Sequence, residues 1–293
     1  MRRPLSLVPA AAVAAATLLV LTACGAEVTG SPGSPGGGVP QPQGSDAEQG
    51  GVRITRVDSV TLGGGSGGVS AAYEVTNSAA EALTYTITFD FTRSGGEVLG
   101  NVRRTVNAVG PGRTVKGSVD AADAALATTA EAVKISEVTR VPAAEAPAAP
   151  GECPSSGVRV WADEGDAAMG LRIVGLHLEN CGTRDYPVDG YPQVTVLDED
   201  LKRIDGVKVF RGSGGISLLD GFDDPPRPVT LKHGESATAS LMWRNTTEAG
   251  TPVNAPYTRV VAKPGAAPVT VTPHLDLGTT GKLGVSAWKR SER

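Results

Sequence analysis

Apolar and polar side chains take turns through long stretches of this chain. Val69, Ala71, Tyr73 and Val75 alternate with Ser70, Ala72, Glu74 and Thr76. Leu83, Tyr85, Ile87, Phe89 and Phe91 alternate with Thr84, Thr86, Thr88, Asp90 and Thr92. A period of two in β-branched and aromatic residues predicts strands with one buried face and one wet face. Further strands are predicted near 52–60, 98–108, 113–119 and 132–141, separated by the Gly63–Gly68 run and by Pro111-Gly112. The only helix-like stretch is Ala121–Ala132, read as a short turn of helix. Six or seven strands in the segment 51–142 predict an antiparallel Ig-like sandwich.

The segment 143–151 is rich in Ala and Pro and reads as a linker. Alternation returns in 152–290, where Ala237, Ala239, Leu241 and Trp243 alternate with Ser236, Thr238, Ser240 and Arg244. Strands are predicted at 157–162, 170–180, 193–198, 206–210, 227–232, 257–263, 268–272 and 282–288. The apolar parity switches near Gly175, which predicts a bulge there. The fold class is therefore all-β, with two consecutive antiparallel Ig-like β-sandwich domains. Val75-Thr76-Asn77-Ser78 and Leu178-Glu179-Asn180-Cys181 each read as a strand ending in Asn, a weak hint that the two sandwiches are related.

The first fifty residues follow neither pattern. Met-Arg-Arg precedes an apolar run from Leu5 to Ala23, the layout of a secretory signal. The run ends Leu21-Thr22-Ala23-Cys24-Gly25, which resembles the lipobox of bacterial lipoproteins. That resemblance implies a signal peptide over 1–23, cleavage before Cys24, and a diacylglyceryl thioether on Cys24 with a further acyl group such as palmitate. Two acyl chains make stable membrane anchoring where one does not. The rest of 24–50 is mostly Gly, Ser, Pro and Gln, a composition that predicts a disordered tether. A Gly-rich coil of this length reaches roughly 28 Å, at about 5–6 Å times the square root of residue number.

The chain has three cysteines. With Cys24 taken by lipid in a chain outside the reducing cytoplasm, Cys153 and Cys181 are expected to be bridged. The formal net charge is -4, and neither β segment has the basic excess that nucleic-acid binding uses. Heavy use of Arg, Ala, Gly and Pro looks like a high-GC actinobacterium.

In the second segment Cys153, Asn180-Cys181-Gly182, Asp189-Gly190-Tyr191-Pro192 and His233-Gly234-Glu235-Ser236-Ala237 with Leu241-Met242-Trp243 occur in that order. This resembles the actinobacterial domain-of-unknown-function family numbered 4232, found in secreted and lipid-anchored proteins. The resemblance implies fold and location and carries no activity. Members usually have a second cysteine pair later in the domain, and the matching regions near Asn254 and Asp276 have none.

Chemistry-bearing motifs are few. Gly63, Gly65 and Gly68 fit a dinucleotide fingerprint, and Gly64, Ser66 and Gly68 fit a nucleophile elbow. Both need a following helix, and a strand pattern follows instead. Ser286 and Lys289 have serine–lysine spacing but sit at the end of a β segment. His177, His233 and His274 have no zinc-pair spacing, and His177 is read as solvated. Asp198-Glu199-Asp200 and Asp220, Asp223 and Asp224 read as solvated loop acids, or as a weak calcium site. Trp161, Trp243 and Trp288 all lie in the second segment; tryptophans on sheets can form sugar-stacking platforms but are more often core, Trp243 continues a core face, and Trp288 is the least clearly placed.

The functional expectation is a membrane-anchored extracytoplasmic lipoprotein that presents two β-sandwich modules for binding or for a structural role in the cell envelope. No catalytic residue, cofactor or metal is assigned. The expected partners are the membrane through Cys24, and an envelope protein or wall glycan; nucleic acid is not expected. The candidate surfaces are the loop from Gly212 to Pro228 and the acidic loops. The alternative is an envelope hydrolase or carbohydrate-active enzyme using carboxylates of the second domain.

Overall fold

The protein is described by a computed structural model, which covers residues 48–59, 68–122 and 124–291. Cys24, expected to carry lipid, the expected 1–23 signal, the expected tether before Glu48, and Gly63–Gly67 lie outside the described residues.

Two three-stranded antiparallel sheets make up the first β segment. One joins β1 (Val52–Ser59), β2 (Val69–Thr76) and β5 (Thr114–Asp120) in the order β1-β2-β5. The other joins β3 (Leu83–Thr92), β4 (Val98–Val109) and β6 (Ala132–Pro142) in the order β4-β3-β6. Tyr85, Ile87, Phe89 and Phe91 from one sheet share a core cluster with Val69, Ala71, Tyr73 and Val75 from the other. The alternation places these residues on facing sides, so burial of one row is burial of both. Tyr73 and Phe89 meet across the layers with ring centroids 4.9 Å apart. Gly117, opposite Tyr73 on β5, makes room for the ring, because a Cβ there would lie 2.5 Å from it. The helix expected within 121–132 is a six-residue turn, α1 (Ala124–Thr129), whose Leu126 joins the same core.

The second β segment has a larger sheet on one side of its core. Its strands are β7 (Val158–Ala162), β8 (Asp166–Ala168), β9 (Leu171–Asn180), β12 (Lys208–Arg211), β14 (Ser236–Arg244), β19 (Lys282–Val285) and β20 (Lys289–Arg290). The order is β12-β19-β14-β9-β7, with β8 on β9 and β20 on β14. Facing it are β11 (Gln193–Leu197), β16 (Tyr257–Val261) and β17 (Pro268–Val271), and two short pairs. The pairs are β10 (Tyr186–Val188) with β13 (Val229–Leu231), and β15 (Val253–Ala255) with β18 (Leu275–Gly278). Pairing is antiparallel throughout except for β12 with β19. A long connection, not a hairpin, links those two, so chain direction is not forced to reverse.

The bulge expected at Gly175 is absent. Pairing of β9 with β14 runs in unbroken register from Glu179 to Leu171. The break lies in the other neighbour, where β7 gives way to β8 across Asp163–Gly165. Ile173 on β9 is half-buried on the outer face, opposite Met242, which is fully buried. The apolar parity switches because a second layer covers that face. Met242 pairs with Gly284, and a Cβ on Gly284 would meet Gly212 O at 2.9 Å. The 212–228 loop thus lies on the sheet. It is held there by Arg244 Nε donating to Ile216 O at 3.1 Å and by Ser213 N donating to Asp223 Oδ1 at 2.6 Å. Leu218 at its tip stays 95% exposed.

The strand-ending asparagines have the same role in both segments. Asn77 is 0% exposed and Asn180 1%. Asn77 Nδ2 donates to Glu81 O and Val109 O, each at 2.7 Å, and its Oδ1 accepts from Ala79 N at 2.9 Å. Asn180 Nδ2 donates to Arg184 O and Leu231 O, each at 2.8 Å, and its Oδ1 accepts from Gly182 N at 3.2 Å. The main chain repeats too. Gly112 N donates to Asn77 O and Gly234 N to Asn180 O, while Asn77 N donates to Arg113 O and Asn180 N to Glu235 O. The frame β1-β2-β5 therefore corresponds to β7-β9-β14, clamp for clamp.

In the second segment a disulfide reinforces the clamp. Cys181, next to Asn180, is joined to Cys153, with Cα atoms 5.7 Å apart. Asn254 and Asp276, where the resemblance places further cysteines, sit directly opposite each other on β15 and β18. Asp276 instead accepts from Trp243 Nε1 at 2.7 Å and Asn245 Nδ2 at 3.1 Å.

Replacing Asn180 by Ala strands two buried carbonyls and should lower stability by about 2–4 kcal/mol. Asn180→Asp should cost at least as much, since an anionic oxygen would face those carbonyls. Urea unfolding with an unchanged denaturant slope measures both; an unshifted midpoint would show the clamp is dispensable. A second expectation concerns acid. The Ser213 backbone hydrogen bond holds the Asp223 carboxyl below its ordinary 3.8. A depressed pKa contributes stability above the ordinary value and loses it as pH falls through the lowered one. Exchange of the Ser213 amide should therefore accelerate only below about pH 3.8, and Asp223→Asn should flatten that dependence.

Candidate functional site

The two β segments meet along the end of β6 and the residues after it. Ala143–Glu145 form a single 3-10 turn, so the expected linker begins as ordered backbone. Glu145 accepts from Arg259 Nε at 3.0 and 2.9 Å, one bond to each carboxylate oxygen, and from Thr270 Oγ1 at 2.8 Å. This partnership raises the Arg259 pKa, so the guanidinium stays charged. Arg140 N donates to the Tyr257 hydroxyl at 3.0 Å. Val141, Leu197 and Tyr257 bury one another, and burial pushes the Tyr257 phenol up. His274 Nε2 lies 2.8 Å from Glu137 Oε1. His274 itself has a φ of 49°, a left-handed conformation costly for a side-chain-bearing residue.

Beside this junction lies a cleft of about 530 Å³ with a wall from each segment. The outer face of β3, β4 and β6 contributes Thr86, Arg103, Glu137 and Thr139. The second segment contributes Trp161 and Ala162 from β7, then Asp163, Glu164, Thr272 and His274. The Trp161 ring lies parallel to the His177 ring, at 12° with centroids 5.1 Å apart, and the Arg159 guanidinium is 4.8 Å from its centre. Asp163 locks this arrangement. Its Oδ1 accepts from Gly165 N at 3.0 Å and Gly175 N at 2.8 Å, and its Oδ2 bonds His177 Nε2 at 2.9 Å. Gly175 is required for the lock, because a Cβ there would lie 2.2 Å from Asp163 Oδ2.

His177 does lie on the face opposite Leu176 and Leu178, but it is not simply solvated; its side chain is 28% exposed between Trp161 and Asp163. The three histidines stay apart: His233 Nδ1 bonds Gly182 O at 2.9 Å, and His274 serves the junction. Among the described residues no group of three or more His, Cys, Asp or Glu is placed to hold a metal ion. Asp198 Oδ1 accepts from Asp200 N and Lys202 N, closing a turn, and Asp224 pairs with Lys289 Nζ at 2.9 Å. Ser286 is buried, with its Oγ accepting from Ser240 N, so Ser286 and Lys289 do not work together. Trp243 and Trp288 are core, and Trp288 Nε1 donates to Ala262 O at 2.9 Å. Trp161 alone of the three lines the cleft. Among the described residues no helix is long and apolar enough to cross a membrane.

Sequence reasoning did not find this cleft. Its walls come from strands in different segments, and only the alternation of Trp161 and Arg159 on β7 signals an outward aromatic. No curated protein matches the chain. Residues 153–289 match the family model described as Domain of unknown function (DUF4232), from the first bridged cysteine through Lys289 on β20, so the resemblance read from the Cys153, Asn180-Cys181-Gly182 and Gly190-Tyr191-Pro192 positions holds for this segment.

Proposed function

We propose that this chain is an exported lipoprotein, anchored through Cys24 to the outer face of the cell membrane, and that it presents two related Ig-like sandwich modules as one binding unit. The Leu21-Thr22-Ala23-Cys24 sequence supports the anchor. The Cys153–Cys181 bridge supports an oxidising compartment. The matching Asn77 and Asn180 clamps support a relation between the modules. The observation that carries the binding reading is the cleft at the junction, whose aromatic wall is held in place before any ligand arrives.

The alternative, hydrolysis by carboxylates of the second segment, has Asp163 and Glu164 on one wall and Glu137 on the other. Asp163 accepts three hydrogen bonds and Glu137 is paired with His274, so both carboxylates are already engaged within the protein.

In intact cells the wild-type chain should incorporate radiolabelled palmitate and stay with membranes, and Cys24→Ala should do neither. Label persisting on Cys24→Ala would remove the anchor. A photoreactive residue at position 164 should capture an envelope component that one at the exposed position 97 does not; equal capture would remove the cleft as the binding surface.

A further inference from the structure

We infer that the cleft takes a neutral oligosaccharide, seated against Trp161 and bound without cleavage. This rests on the reading of the cleft as a binding surface and names its ligand class.

The cleft volume falls within the range of small-molecule sites, about 300–1,000 Å³. Its one aromatic plate is Trp161, and among the described residues neither Arg159 nor His177 lines the cleft. Those two hold the indole from elsewhere, through the stacking and the Asp163 lock. The half-buried indole lines the cleft already ordered, so contact with it costs a ligand little entropy. Around it polar groups, the planar groups of Arg103, Glu137 and Glu164 and the hydroxyls of Thr86 and Thr139, alternate with the small apolar surfaces of Pro147, Ala162, Val271 and Pro273. A wholly apolar ligand would strip water from the polar groups without replacing its hydrogen bonds.

Charge narrows the class further. Glu137, Asp163 and Glu164 face only Arg103 and His274, and His274 is shared with Glu137. The site has no surplus cation for a phosphate or carboxylate. A ligand that fits has one face of C–H bonds for the indole, a rim of hydroxyls for side chains that donate and accept, and no negative charge. A pyranose ring meets all three conditions, and the open cleft has room for its neighbours in a chain.

The test uses the full-length chain in detergent, with maltotriose, cellotriose and the trimer of N-acetylglucosamine as neutral probes and trigalacturonate as the anionic one. At least one neutral trimer should bind in calorimetry and shift tryptophan emission. Trp161→Ala should weaken that binding about tenfold or more, with Trp161→Phe in between, while thermal unfolding confirms that both variants fold. Gly175→Ala, which displaces Asp163 from under the platform, should weaken binding without touching the ligand. Absence of binding by all three neutral trimers would overturn the inference. So would tighter binding of trigalacturonate, or release of new reducing ends from a bound trimer. Capture from position 164 in cells that persists while the neutral trimers fail would overturn the glycan assignment and leave the binding cleft standing.

Discussion

A buried side-chain amide governs how each half of this molecule closes. At the end of β2 and again at the end of β9, a strand must stop inside the protein, where main-chain carbonyls from the next turn and from a distant strand come together without water. Asn77 and Asn180 supply the two N–H groups those carbonyls need and an acceptor for the amide two residues on. No apolar residue could satisfy that set, and an unmet buried polar group is expensive. With each clamp in place the central strand has a defined end. The register of its neighbours follows, and so does the row of apolar residues that fills the core. The disulfide beside Asn180 adds a covalent tie at the same point, and the first half manages without one.

The junction follows from that order. Because β6 ends at a defined place, Glu145 emerges within reach of Arg259 and Thr270, and Arg140 within reach of Tyr257. These polar contacts surround a small apolar patch of Val141, Leu197 and Tyr257. The cleft is what is left beside them. Its shape comes from one half's outer sheet face and the other half's edge strand, and neither half alone would form it.

Several side chains that look like chemistry on paper are structural in place. Asp198 closes a turn, Asp223 holds the Ser213 amide, Asp200 and Asp224 pair with lysine, Ser286 is buried against β14, and Trp288 is core. Asp276 replaces covalent cross-linking with hydrogen bonds to Trp243 and Asn245, opposite an Asn254 that shows where a second bridge would lie.

Alternation alone determined most of the strands, because a sheet with one wet face writes its period directly into the residue order. It also located the two cysteines and marked the strand-ending asparagines, though not their bonds. The three- and four-residue strands β8, β10, β15 and β18 escaped it, being too short to show a period. The parity switch near Gly175 misled it, since Ile173 on that outer face lies half-buried opposite the fully buried Met242, next to Gly284, where the 212–228 loop meets the sheet. Only the tertiary structure could decide that Trp161 stacks on His177, sixteen positions along the chain, and that both stand over Asp163. Only it could set Glu137 and His274 together across two segments. Local pattern records which face of a strand is buried, whereas a site between segments depends on how those faces meet, and no neighbouring residues along the chain carry that information.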